Sequence, residues 1–228
     1  QRAEEVVSEN KHATLGLYSP CYAVSLMDLR LNKQNYVESL NSNTRYQIRR
    51  SLRIYNESFG PVNLEVAKTQ KEAIDYFHAA APFHIARWVD SGYLNRQFIR
   101  FHENLINQSY QRGSIALLKI SAGDKTIAIL YYQLENKNVY FYLHGLNYDN
   151  NKKLKPGLVA HALATQYFID KGMEKYDYMG GYSQYKEQLA DMSEELATVV
   201  IQRPRSKFKL ENIMKNMKER INSTSKKV

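Results

Sequence analysis

Several groups of residues in this chain carry side chains that could do chemistry. Tyr142 and His144 stand two apart in an apolar segment, so a strand would put both on one face. There His144 could take a proton from a nucleophile and Tyr142 could give one to a leaving group. The competing reading is a histidine that is simply packed. Asp177 lies between Tyr176 and Tyr178 and would face away from both. Buried, it would be a base with a raised pKa, or else a structural acceptor for backbone N–H groups. Lys186 follows Tyr185 and the Gly180-Gly181 break. Its charge suits a phosphate or a developing oxyanion, if it is not an exposed lysine beside a packing tyrosine. Lys152, Lys153 and Lys155 lead into Pro156-Gly157-Leu158, which reads as a helix start. Free N–H groups at such a start favour an anion, although an ordinary helix after a solvated basic loop looks the same. His84, Arg87 and Trp88 fall on one helical turn. They could form a wall for an anionic or sugar-bearing acceptor, or Trp88 could sit in the core with Arg87 laid over it.

Composition removes other chemistries. Cys21 is the only cysteine, which rules out a disulfide framework, and a half-buried thiol is the ordinary reading of it. The six histidines show no metal-ligand spacing, so no metal is expected. The chain carries a net charge of +9. From Arg203 onward nine Lys or Arg face only Glu211 and Glu219, so most of that charge belongs to the tail. The basic balance therefore says little about the rest of the chain. No apolar run reaches the length of a membrane span, and the polar start does not read as a signal peptide. These features point to a cytoplasmic protein, with the inner face of the membrane as a further option. The lack of an initial Met suggests a fragment or a trimmed chain.

The elements that must position these residues can be read in order. Residues 1–40 look like an extended lead-in. A helix begins after Asn41-Ser42-Asn43-Thr44 and stops at Gly60-Pro61. Residues 62–67 alternate as a strand. Thr69 and Glu72 open a helix that Pro82 should break or kink, with a second piece reaching Gly92. Asn95 caps a helix whose stripe is Phe98, Phe101, Leu105 and Ser109. Three strands follow, over 114–121, 126–134 and 139–146, joined so briefly that they must be antiparallel. A helix runs from Pro156 to Lys171, then a strand over 175–179, a short helix and a last strand over 197–202. This is an α+β plan, a mixed and mainly antiparallel twisted sheet flanked by helices. The tail over 204–228 reads as a basic amphipathic helix, with Leu210, Ile213, Met214, Met217 and Ile221 on one stripe. Such a helix lies on an anionic membrane or packs against another part of the protein.

This order of elements resembles the three-layer α/β/α core of GNAT acyltransferases. Phe83-His84-Ile85-Ala86-Arg87-Trp88 is similar to the His-x-x-Arg-Trp element of the bacterial cellulose-biosynthesis-like acetyltransferases. Tyr176-Asp177-Tyr178-Met179-Gly180-Gly181 with Tyr185-Lys186 resembles that family's aspartate, glycine pair and aromatic-Lys, which the Fem peptidyltransferases share. Arg45 to Leu52 resembles the Arg-rich helix before the core. The likeness spans residues 41–203 and implies a further half before residue 40. It implies Lys186, Tyr185 and Asp177 as catalytic groups, beside His144 and Tyr142 from their spacing, and His84, Arg87 and Trp88 as substrate contacts. Lys152, Lys153, Lys155, Gly157 and Leu158 would hold the pyrophosphate of acyl-CoA, although the family's glycine signature is reduced here to Gly157. The implied reaction moves an acyl group, acetyl above all, to an amine or hydroxyl of a small-molecule, nucleotide-sugar or lipid-linked acceptor. The alternatives are a Fem-like transfer from aminoacyl-tRNA to a peptidoglycan precursor, and a non-catalytic membrane or nucleic-acid adaptor.

Overall fold

The computed structural model describes residues 13–201 and Phe208. All but Phe208 of the tail helix expected over 204–228 lies outside them. The elements in chain order are β1 (Ala13–Ser25), α1 (Leu26–Leu31), α2 (Tyr36–Ser39), α3 (Ser42–Phe59), β2 (Val62–Val66), α4 (Gln70–Arg87), α5 (Arg96–Ser109), β3 (Ile115–Ala122), β4 (Lys125–Glu135), β5 (Asn138–Leu146), α6 (Pro156–Asp170), β6 (Lys175–Gly180), α7 (Gln184–Leu189) and β7 (Met192–Ile201). The strand order is β2-β3-β4-β5-β6-β1-β7. The chain divides into two units, Pro20–Glu194 and a second made of Gln1–Ser19 with Glu195–Val228. In the second, Gly16 of β1 lies against Thr198 of β7, and a Cβ there would come within 2.9 Å of the Thr198 carbonyl oxygen.

The larger unit is an α+β sandwich. β2, β3, β4 and β5 pair antiparallel, β5 and β6 pair parallel, and residues 21–25 of β1 close on β6 antiparallel. Both faces of β3 and β4 are buried, so these strands are nearly continuous in apolar residues. Successive side chains of β3 serve two cores. Leu118 and Ile120 pack with α3 and α6, through Ile48, Tyr55, Val159 and Phe168. Ile115 and Leu117 pack with α4 and α5, through Phe77, Ala80 and Ile106. These two layers on one sheet are the three-layer arrangement expected from the order of elements.

Local sequence explains the helix ends. The Asn41 side chain accepts the Thr44 N–H at 2.9 Å, and Thr69 Oγ1 accepts that of Glu72 at 3.1 Å. Gly60 ends α3 at φ +108°, a conformation that favours glycine. Three expectations are corrected. Residues 26–31 and 36–39, read as extended lead-in, are helical, with Leu26, Leu29 and Tyr36 buried. Pro82 does not end its helix: α4 continues to Arg87, held on the sheet by Ala73, Phe77 and Ala80 on the turns before the proline. On α5 the buried residues are His102 and Ile106, while Phe101 is 60% exposed. The helix has turned its polar-looking histidine inward, where it is ringed by Phe77, Phe98 and Tyr131.

Candidate active site

β5 and β6 pair only from Asn138↔Lys175 to Tyr140↔Asp177. Beyond that point the two strands part, and a cleft of about 950 Å³ opens between them. A β-bulge shapes its wall. Tyr131 and Tyr132 of β4 are adjacent, yet their partners on β5 are Leu143 and Phe141, so Tyr142 is the extra residue. The bulge overturns the expectation that Tyr142 and His144 share a face. The Tyr142 hydroxyl reaches His102 Nε2 at 3.0 Å on the α5 side. His144 turns to the α6 side, against Phe141, His161 and Tyr185. Both residues still line the cleft. Burial, with lesser effects from the charges of His84, Lys186 and Arg87, lowers the His144 pKa to about 4, so its ring is neutral at neutral pH. Burial also raises the pKa of Tyr142, which keeps its proton.

The start of α6 forms another part of the wall. Leu154, Lys155, Pro156, Gly157 and Leu158 line it together with Lys152, whereas Lys153 lies off the lining. No side chain caps this helix start. Pro156 has no N–H, so Gly157 and Leu158 carry the first free backbone donors. The loop before it is fixed by the Lys155 N–H on Ser51 Oγ at 2.9 Å and the Lys153 N–H on Asn151 Oδ1 at 3.0 Å. Asp149 is the carboxylate on the lining among the described residues, and Lys125 pairs with it. The residues expected to hold a phosphate thus meet at one wall, with Lys153 the exception.

Tyr185 and Lys186 of α7 also line the cleft. Tyr185 stacks on His161 at 5.4 Å between centroids and 16° between planes. Lys186 Nζ donates to the carbonyls of Gly180 at 2.9 Å and Met179 at 3.2 Å. Burial lowers its pKa. Asp177, read as a base or a structural acceptor, is off the lining and acts as an acceptor. Its Oδ1 accepts the Met179 N–H at 2.7 Å and the Cys21 thiol at 3.2 Å, and its Oδ2 pairs with Lys175 at 3.2 Å. The first contact holds Met179 at φ +62°, a left-handed conformation rare for a non-glycine residue. Asp177 therefore shapes the turn whose carbonyls hold Lys186. Cys21 is an ordinary buried thiol, pushed up to about 11 chiefly by burial and by its bond to Asp177.

The third wall comes from the end of α4. His84 Nδ1 lies 2.9 Å from Ser91 Oγ. Arg87 sits over the rings of Trp88 and Tyr148, at 5.7 and 5.5 Å. Trp88 is 51% exposed, which decides against the reading that buries it in the core. All three residues, with Tyr148, face the cleft. Sequence reasoning missed His161. It is fully buried, lines the cleft, and its Nδ1 lies 2.7 Å from the Tyr176 hydroxyl. The signal was present: α6 is apolar on nearly every face, and a lone histidine in such a helix must be buried. His102, behind Tyr142, was missed in the same way. No group of residues able to hold a metal occurs among the described residues.

A three-layer sandwich with a parted parallel strand pair, and an uncapped helix start beside the opening, defines an acyltransferase-type fold. Residues 42–187, well over half of the chain, match the family model of the acetyltransferase (GNAT) domain, and the chain belongs to that family. Among solved structures it is similar to a conserved protein of unknown function from Bacteroides thetaiotaomicron, at 7% identity and a TM-score of 0.52. The match covers 83% of this chain and 62% of that one. It is also similar to the C-terminal domain of a protein designated a lysylphosphatidylglycerol synthetase from Agrobacterium fabrum, at 12% identity and a TM-score of 0.53. That match covers 85% of this chain and 62% of the other. At such low identities these structural likenesses show a shared fold alone. No curated protein matches the sequence.

Proposed function

We propose that this GNAT domain transfers an acyl group from acyl-CoA to an amine or hydroxyl of a small-molecule, sugar or cell-envelope acceptor. The observation that carries the reading is the cleft between β5 and β6, where Lys152, Lys155 and the uncapped start of α6 meet the imidazole of His144. Those cations and N–H groups fit a pyrophosphate. A bound donor would supply the activated acyl carbon. His144 is neutral and accepts the acceptor's proton, which becomes strongly acidic as the new bond to carbon forms. Lys186 places a positive charge on the cleft wall, and its anchoring to two carbonyls keeps that charge in position. Arg87, flanked by Trp88 and Tyr148, offers a cation and aromatic faces to a sugar or anionic acceptor. One observation favours an aminoacyl-tRNA donor as the second reading: Pro156 removes an N–H from the phosphate cradle, which leaves fewer donors for a pyrophosphate. Described helices include none long and apolar enough to cross a membrane.

The test is transfer of label from acetyl-CoA, and separately from aminoacyl-tRNA, to a panel of amino sugars, nucleotide sugars and lipid-linked precursors. Lys186→Ala should lower the rate on the order of 10²-fold. Loss of its two backbone contacts should also cost about 1 kcal/mol of stability, read by urea unfolding. Full activity in that variant would remove Lys186 from the mechanism.

A further inference from the structure

Between α4 and α5 the chain turns through Trp88-Val89-Asp90-Ser91-Gly92-Tyr93-Leu94-Asn95. The turn is pinned from beneath. Ser91 is buried with its Oγ 2.9 Å from His84 Nδ1, and Tyr93 is buried with its hydroxyl donating to the Phe77 carbonyl at 2.8 Å. Gly92 lies against the Phe98 ring, which a Cβ there would approach to 2.8 Å. The Ser91 N–H donates to the Trp88 carbonyl at 3.2 Å, and the Leu94 N–H to the Ser91 carbonyl at 3.0 Å. This fixed backbone holds its apolar side chains outward: Val89 is 91% exposed and Leu94 63%.

A single exposed apolar side chain needs no explanation. Here the exposure is grouped beside the cleft. Trp88 and Val89 are adjacent, Leu94 closes the same turn, and Ile85 and Phe101 are exposed on the two helices that it joins. Those helices pack together, and Trp88 and Gly92 line the cleft. Met179 and Tyr182, which come from the end of β6 and the residues after it, line the cleft and are exposed as well. The mouth of the cleft is therefore rimmed with apolar side chains from two parts of the chain.

Charge selects what covers this rim. Between residues 85 and 101 the exposed Arg87, Arg96 and Arg100 stand against Asp90 alone. The cleft adds Lys152 and Lys155, while its Asp149 is paired with Lys125. Apolar groups held outward among cations match an anionic lipid surface: the apolar groups enter the boundary between headgroups and acyl chains, and the cations meet the headgroups. Trp88 suits that boundary, with an apolar ring and a polar N–H. A folded protein seated on the rim would stop the cleft, whereas a bilayer covers the rim and still presents a group at the opening.

We infer that the rim of the cleft, led by the turn from Trp88 to Leu94, docks on an anionic lipid surface. Because the turn is pinned before it docks, little ordering opposes the contact. Docked so, the cleft opens onto the lipid. The acceptor is then an amine or hydroxyl borne at that surface, a consequence that rests on the acyl-transfer reading.

Trp88 is the one tryptophan of the chain, so its emission reports on this rim. The full chain is titrated with vesicles of phosphatidylcholine, with and without phosphatidylglycerol. With phosphatidylglycerol the emission should move to shorter wavelength, and lipids brominated on their acyl chains should quench it. Val89→Ser combined with Leu94→Ser should weaken vesicle binding about tenfold, because less apolar surface leaves water. Both positions are exposed, so the melting temperature of that variant should stay close to that of the wild type. Absence of binding overturns the inference. So does binding with unmoved emission, which places the contact on another surface such as the tail, and so does unchanged binding in the double variant. An equal shift with phosphatidylcholine alone removes the selection by charge. An equal shift with glycerol 1-phosphate in solution makes the ligand a soluble phosphate, and a shift that grows with protein concentration without lipid makes the partner a second copy; each of these three also overturns it. The lipid readout needs no acyl donor. If the emission shifts but acetyl-CoA does not raise the melting temperature, docking stands and the donor reading fails; if acetyl-CoA raises it and the emission stays, this inference alone fails.

Discussion

At the scale of single residues the cleft is built around imidazoles kept neutral by burial. His144 has a folded pKa of about 4 against an ordinary value of 6.5. Between those values the unfolded chain binds a proton that the folded chain refuses. Stability from this group is therefore fully present above pH 6.5, declines as the pH falls toward 4, and is gone below that. The full difference is worth on the order of 3 kcal/mol. His161 is shifted downward as well, and by the same cause, so it acts with the same sign. Urea unfolding at a series of pH values should show wild-type stability falling through this window. His144→Gln should flatten part of the fall, because its side chain does not titrate. Parallel curves for the two proteins would mean that His144 is not held neutral by the fold.

At the scale of elements the site depends on how closely β5 and α4 approach. A Cβ on Gly145 would come 2.6 Å from the Ala80 carbonyl oxygen and 2.9 Å from the Ala80 Cα. Backbone atoms cannot swing aside as side chains do, so Gly145→Ala must push α4 off the strand. The expected cost is about 1–3 kcal/mol, measured as a lower urea midpoint, and transfer should weaken because α4 carries His84 and Arg87. Unchanged stability would mean that helix and strand are not held at this distance. The order of elements was legible in the sequence because β3, β4 and β5 are apolar runs separated by short polar joins. Asn41, Thr69, Asn95 and Gly60 also mark their helix ends unambiguously. The bulge at Tyr142 was not legible. Val139, Phe141 and Leu143 alternate and Leu146 falls out of phase, but the position of the slip is visible only where β5 is paired with β4. That slip moved His144 and Tyr142 to opposite faces. Of the two roles weighed for Asp177, the structural acceptor is the one its contacts fit: Lys175 lies two residues before it on β6, and only Cys21 reaches it across the β1–β6 pairing. Lys152, Lys155 and the His84–Trp88 turn meet at the cleft as grouped in the sequence, because helix starts and helical spacing are local properties.

At the scale of the whole molecule, charge could mislead. The chain carries +9, but most of the excess follows Arg203. A basic protein binds any polyanion to some degree, so attraction of a phosphate-bearing donor does not by itself locate the donor in the cleft. Lys152 and Lys155 line the cleft, whereas Lys171 lies just past the far end of α6, over the Tyr167 ring. All three remove the same charge when changed to alanine, so diffuse attraction would weaken equally in each variant. A local phosphate contact would not. A charge-assisted hydrogen bond is worth about 1.5–3 kcal/mol when shielded and less at a cleft mouth, so each cleft lysine should account for roughly 3- to 10-fold in affinity. Calorimetric titration with acetyl-CoA should give that weakening for Lys152→Ala and for Lys155→Ala, and little change for Lys171→Ala. The wild-type affinity should fall as salt rises, and the fall should be shallower in the two cleft variants, because fewer charges are screened. Equal affinities across the three variants, with equal salt dependence, would move the donor out of the cleft and leave the start of α6 as an ordinary helix end.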